Sequence, residues 1–274
     1  MKTYISKSYW SNIRKTFATI AVLSSCIAMS YSQAACVDSD ITLRVKNIEQ
    51  ALSNPVRSEK EVLLDSLRKP AQVLDFFQIE KGMNVIDVFA GEGYYTEILS
   101  HLVGSDGSVA MHNHSPWEDY SKKGSDKRVK DNRLPNVYQV MQDLNNTHLK
   151  SNHYDAATII LGMHDMFLVN EKSVSGDKID SASFLSSLYR GIKPGGVVGV
   201  IEHETNIDAI PEKSAELHRL NSGFIKKIMI QAGFIFEQQS NMLQNSNDDY
   251  TKIVFDKEIR RHTDRAILRF RKPN

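Results

Sequence analysis

The stretch from Asn84 to Thr96, N-V-I-D-V-F-A-G-E-G-Y-Y-T, constrains this chain more than any other. Residues 84–89 are a short apolar run rich in β-branched side chains, the mark of a buried strand. Ala90-Gly91-Glu92-Gly93 is a turn, and residues 94–102 carry a helical apolar face of Tyr95, Ile98, Leu99 and Leu102, closed by Gly104. A strand feeding a glycine turn that opens a helix lets a ligand approach the backbone at the strand's carboxyl end. The turn lacks the third glycine of a dinucleotide fingerprint, since Thr96 stands there, and no acid ends the second strand. It also lacks the Gly-Lys-Ser/Thr of a phosphate loop.

The pattern then repeats. Residues 108–111, 136–141, 156–161 and 197–202 read as further strands, with helices over 181–192 and 217–232. Residues 112–135 read as a polar connection, and Lys193-Pro194-Gly195-Gly196 as a tight turn. Residues 234–238 and 266–271 are two last strands without a helix between them. Alternation of this kind predicts an α/β fold: a doubly wound, mostly parallel, seven-stranded, Rossmann-like sheet with an antiparallel strand at its carboxyl end. Residues 35–80 read as a helical amino-terminal extension, with Ser58 and Glu61 in the form of a capping box and Leu67, Val73, Leu74 and Phe76 as its buried face. The main domain is expected over 81–274.

The first 34 residues differ. A basic start with Lys2, Lys7, Arg14 and Lys15 precedes an uncharged apolar run and the small-residue site Ser32-Gln33-Ala34. That order is a secretory signal peptide and predicts a periplasmic or secreted protein. The run is shorter than the roughly 20 residues of a spanning helix. Leu23-Ser24-Ser25-Cys26 also has lipobox form, the weaker reading. Cleavage after Ala34 leaves Cys36 as the single cysteine, so no internal disulfide is expected, and no Cys/His spacing reads as a zinc motif. A net charge of +1 and the absence of a basic stripe interleaved with aromatics argue against nucleic-acid partners.

Asp87 with Gly91 and Gly93 resembles motif I of the class I S-adenosylmethionine (SAM) methyltransferases, D-x-G-x-G-x-G, with Phe89 in place of the first glycine. Gln142-Asp143, Tyr154-Asp155 and L-Y-R-G-I-K-P-G-G over 188–196 resemble later landmarks of that family. Arg57, Arg68-Lys69-Pro70, Gly93-Tyr94-Tyr95-Thr96, His164-Asp165, His218-Arg219, Thr263-Asp264-Arg265 and Arg271-Lys272-Pro273 resemble a branch of exported members. The resemblance implies SAM as cofactor. It implies that Asp87, Phe89, Ala90, Gly91, Gly93 and Tyr94 surround its methionine and ribose. It places Asp143 at the adenine, and Asn113 at the ribose where many members have Asp or Glu. Glu118 and Asp119 are within reach of the same ribose.

Methyl transfer needs an aligned nucleophile and a group to take its proton. His164, Asp165 and His203 are the candidates, near the carboxyl ends of the fourth and fifth strands. His218 and Arg219 read as helical, contacting substrate or ion-paired with Glu216 or Asp264. The expected reaction is methylation of a small or medium-sized acceptor. The alternative is a non-catalytic ligand-binding protein on the same scaffold, and a nicotinamide oxidoreductase is disfavoured by Thr96. The sequence leaves the oligomeric state open.

Overall fold

The computed structural model describes residues 40–168, 179–206 and 210–274. The candidate signal peptide, Cys26 and Cys36 lie outside them. The chain divides into units 1–46 and 47–274. Of the first, residues 40–46 are described and are helical. That helix, α1, runs over 40–52.

Seven strands form one sheet in the order β3-β2-β1-β4-β5-β7-β6. They are β1 (Asn84–Val88), β2 (Ser108–His114), β3 (Val137–Gln142), β4 (Tyr154–Ile160), β5 (Ile192–His203), β6 (Ile235–Ser240) and β7 (Arg265–Arg271). The first five pair in parallel, and β7 runs antiparallel between β5 and β6. The doubly wound sheet with an antiparallel carboxyl-terminal strand is the expected one. Alternate strand residues feed two cores. Ile86, Ala157, Val198 and Leu268 pack with Phe184 and Leu188 of α6 (Ser181–Gly191), and with Ile225 and Phe234. Val85, Val109, Ala156 and Ile267 pack with Val73, Phe77, Ile98 and Leu99. Gly199 is needed where α3 (Pro70–Phe76) ends, because a Cβ there would sit 2.4 Å from the Phe77 ring.

Several local expectations change. The polar stretch after β2 contains α5 (Glu118–Val129), whose buried residues are Ser121 and Ser125. An apolar period cannot reveal a helix that buries small polar groups, and Gly124 packs so close to Glu92 that a Cβ would clash at 2.5 Å. The turn at 193–196 lies inside β5 as a bulge, since pairing jumps from Tyr154↔Ile192 to Ala156↔Val197. The helix read over 217–232 starts later, as α8 (Ser222–Gln231), and a separate helix, α7 (Pro211–Glu216), precedes it. His218, at φ +55°, lies in the turn between the two and keeps residues 217–221 out of α8. Asn221 caps α8 by accepting from the Gly223 and Phe224 amides.

The capping box also resolves differently. Ser58 precedes α2 (Glu59–Arg68) without a side-chain cap, and the Glu61 carboxylate accepts from Arg128 instead. Arg128 and Arg133 both bond Glu97 of α4 (Tyr94–Val103), and Arg128 Nε donates to the Glu92 carbonyl at 2.8 Å. Asp65 of α2 takes Arg57 (2.7 Å) and the Tyr94 hydroxyl (2.6 Å). So α2 docks beside the glycine turn through ion pairs, with no buried apolar residue of its own.

Burial acts to raise the Glu97 carboxyl, but the His101 hydrogen bond and the Arg133 and Arg128 guanidinium groups prevail and hold it down at about 2. Because the folded value lies below the ordinary 4.5, the resulting stability is complete above pH 4.5 and is lost as pH falls toward 2. Glu97→Gln should cost about 3 kcal/mol at pH 7, since Arg133 loses its anion and Arg128 keeps only Glu61. Urea titrations of both proteins should converge near pH 2, and equal stability at pH 7 would refute the assignment.

Candidate active site

The site lies at the carboxyl ends of the parallel strands. β1 ends at Val88, and Phe89, Gly91 and Gly93 all take positive φ (+56°, +57° and +82°) before α4 begins at Tyr94. The turn is tied to the end of β2 by three hydrogen bonds. Ala90 N donates to the His112 carbonyl at 3.0 Å. Gly91 N donates to Asn113 Oδ1 at 2.8 Å, and Asn113 Nδ2 donates back to the Gly91 carbonyl at 3.1 Å. Asn113 therefore engages both polar groups of one glycine.

Asp87 is buried and accepts from Thr96 Oγ1 (2.7 Å) and Thr158 Oγ1 (2.8 Å), bracing β1 against α4 and β4. Burial pushes its carboxyl up and the threonine hydroxyls pull it back, leaving it at about 6. The Phe89 ring stacks on Trp117 at 6.0 Å and meets Phe184 and His112. It also fills the space beside Gly162, where a Cβ would come within 2.7 Å. The Tyr94 hydroxyl is spent on Asp65, and Arg68 lies over its ring at 4.2 Å. Asp143 is half-buried after β3 and caps a short turn through Asn145 N at 3.0 Å.

Two polar groups of this edge have no partner among the described residues. Both ring nitrogens of buried His112 are unbonded, as is Gln142 Oε1 at the end of β3. Burial, with His114 nearby, holds His112 neutral, at about 4. Around Gly91 no heavy atom stands within 4 Å of where a Cβ would point. An open glycine turn beside buried, unsatisfied donors and acceptors is a cradle for a polar small molecule. The residues present fit SAM.

A second centre stands across the edge, after β4 and β5. His164 is buried and donates from Nδ1 to Glu202 Oε1 at 2.9 Å, and Glu202 Oε2 accepts the His164 amide at 3.0 Å. His164 Nε2 faces His218 Nδ1 at 3.0 Å and Asp165 Oδ1 at 3.3 Å. Burial opposes the His164 imidazolium, but Glu202 and Asp165 raise it to about 10. His218 is pushed down by burial and by His164. His203 is pushed well down by burial first, then by its cationic neighbours, and its Nδ1 lies 2.7 Å from Thr263 Oγ1. The structure thus joins His164 and Asp165 to His218, while His203 stands aside with its ring 6.4 Å from that of His164.

Two expectations are corrected. His218 and Arg219 are not helical but form the turn between α7 and α8. Arg219 pairs with Asp248, at 2.9 and 3.0 Å, rather than with Glu216 or Asp264. Glu202 was not singled out from sequence. A carboxylate closing the apolar run V-V-G-V-I-E was the available signal, because a charge at a buried strand end needs a partner.

The chain matches the ubiE/COQ5 methyltransferase family over residues 64–268. It belongs to that family. S-adenosylmethionine is accordingly its expected cofactor. Among similar proteins is the ubiquinone/menaquinone biosynthesis C-methyltransferase UbiE of Idiomarina loihiensis. It is 24% identical over 196 residues, covering 72% of this chain and 66% of that protein. UbiE of Pseudomonas fluorescens is 29% identical over 140 residues, covering 51% and 49%. The chain spans just under two thirds of the length of the first of these relatives. A SAM-dependent methyltransferase from Aquifex aeolicus has the same fold, with TM-score 0.55 and 19% identity over 83% of this chain and 97% of that one. So does the cyclase SpnF, with TM-score 0.51 and 16% identity over 76% and 82%. The last is a reminder that this fold does not dictate one reaction.

Proposed function

We propose that the chain transfers a methyl group from SAM to a small or medium-sized acceptor. The observation that carries this is the glycine turn clamped to β2 by Asn113, with the His112 ring nitrogens and Gln142 Oε1 unpartnered among the described residues at the same sheet edge and the His164 centre across it. When bound, the cofactor supplies an activated methyl on a sulfonium. The open face of Gly91 would take its methionine and ribose, with Asn113 fixing the turn's shape and Gly93 packed on Met111 and Arg128 behind it, and Asp143 and His112 would meet the adenosine. Asp87 and Tyr94 act from behind, by bracing the turn and α4. The acceptor would lie between this turn and His164, Asp165 and His203, and any proton it gives up would pass to the neutral imidazole of His203 rather than to His164, which already carries one. The named relatives make a quinone-ring precursor the first acceptor to try.

Calorimetric titration of the full chain with S-adenosylhomocysteine tests the reading. Micromolar binding is expected, weakened at least tenfold in Gly91→Val, which forces a β-branched residue into the left-handed region. No binding at millimolar ligand by folded protein would sink it and favour a non-catalytic scaffold.

Export belongs to the same proposal and rests on the sequence of residues 1–34. Among the described residues no helix is long and apolar enough to cross a membrane. Recovery of a chain beginning at residue 35 or 36 from the periplasm is the expected result. A lipidated Cys26 or an intact cytoplasmic chain would overturn it.

A further inference from the structure

His164, Asp165 and His218 come from a short turn after β4 and from the α7–α8 turn, 54 residues apart along the chain. Their ligand atoms nonetheless converge. The three separations are 3.0 Å (His164 Nε2 to His218 Nδ1), 3.3 Å (His164 Nε2 to Asp165 Oδ1) and 3.9 Å (His218 Nδ1 to Asp165 Oδ1). Donors bound to one tetrahedral zinc ion at roughly 2.0–2.2 Å stand about 3.3–3.5 Å apart, so these three already describe one face of such a site.

Hydrogen bonding alone satisfies the trio poorly. His164 Nδ1 is committed to Glu202, so Nε2 is its one remaining group. A single proton there serves Asp165 or His218, and these two are too far apart to bond each other. One cation serves all three lone pairs. Glu202 sits where a carboxylate commonly holds the outer nitrogen of a metal-bound histidine, fixing the tautomer that turns Nε2 inward. His218 is held in place by its neighbours. Its φ is +55°, and Arg219 beside it is fully buried on Asp248. Asp165 and His218 each keep about a quarter of their side chain exposed, so the fourth position opens outward.

We propose that His164 Nε2, Asp165 Oδ1 and His218 Nδ1 bind one divalent transition-metal ion of the zinc class. Two imidazoles and one carboxylate favour such an ion over calcium or magnesium. Three protein ligands leave a position for water or for an oxygen or sulfur atom of an acceptor. No sequence spacing announces the site because its ligands meet only through the sheet. The inference stands independently of SAM binding.

The test uses the full chain, stripped with chelator and titrated calorimetrically with Zn²⁺, and separately with Co²⁺ followed by visible absorption. One ion per chain at micromolar affinity or tighter is expected, with Co²⁺ giving the spectrum of a tetrahedral nitrogen–oxygen site. His218→Ala and Asp165→Asn should each abolish this component, and Glu202→Gln should weaken it about tenfold to hundredfold. His218 and Asp165 are partly exposed, so their variants should stay folded, which circular dichroism verifies. Cys26 and Cys36 of the full chain offer thiolates, whose cobalt spectrum is distinct, so only the component lost in His218→Ala counts. Binding unchanged in both variants, or no binding by the folded wild type at millimolar Zn²⁺, overturns the proposal. S-adenosylhomocysteine affinity measured on the same samples reports on the glycine turn separately.

Discussion

Asp248→Ala is expected to lower the free energy of unfolding by about 4 kcal/mol, the range found when one partner of a buried ion pair is removed. For a domain of this size the melting temperature should drop by roughly 10 °C. Arg219 and Asp248 are both fully enclosed, each at 0% side-chain exposure. The guanidinium makes two parallel bonds to the carboxylate and donates further to the carbonyls of Glu204 (2.9 Å) and Lys252 (3.2 Å). The carboxylate in turn accepts the amides of Tyr250 (3.0 Å) and Asp264 (2.8 Å). Alanine strands a buried cation and two backbone donors together. Asp248→Asn, which keeps the shape and one acceptor, should cost less. Differential scanning calorimetry decides the matter, and a loss below 1 kcal/mol for alanine would show that solvent reaches Arg219.

Asn113→Asp should weaken S-adenosylhomocysteine binding by about tenfold or more. The simpler expectation runs the other way, since the resembled family often places a carboxylate at this strand end to hold the ribose. Here the position has a prior task. The amide accepts from Gly91 N and donates to Gly91 O. A carboxylate keeps the first bond and turns the second into a contact between two oxygens. Losing a partly buried bond and leaving its carbonyl unpaired costs about 1–3 kcal/mol, and the turn it shapes is the proposed cofactor cradle. Tighter binding in the variant would mean that the turn tolerates release and that Asn113 does face the ribose.

Much of this was legible in the sequence, and the misses share a cause. The central strands β1, β4 and β5 announced themselves because they are rich in β-branched residues between turn signals, and the glycine turn because Gly91 and Gly93 follow β1. α5 did not, because Ser121, Ser125 and Gly124 form its inner face. The late start of α8 stayed hidden because Leu217, Leu220, Phe224 and Ile225 keep a helical period through the turn at 217–221. Of the site, His164 and Asp165 could be placed by their position after a strand. Their meeting with His218, and the support of Glu202, depend on which loops the sheet order brings side by side. Asn113 was assigned to the ribose on resemblance, and only geometry reveals its hold on Gly91.

The antiparallel closing strand has a practical consequence. β7 starts beside His203, at the edge that carries the candidate site, and finishes beside Val197. Its seven residues therefore carry the chain roughly 20 Å away from that edge. Lys272 then pins the end by donating to the Ile192 carbonyl at 2.7 Å and to Asn152 Oδ1 at 2.9 Å. A purification tag, a fluorescent reporter or a surface tether joined after Asn274 would leave from the far rim. Immobilised in that way, the protein should hold its ligand-facing edge toward the bulk solution.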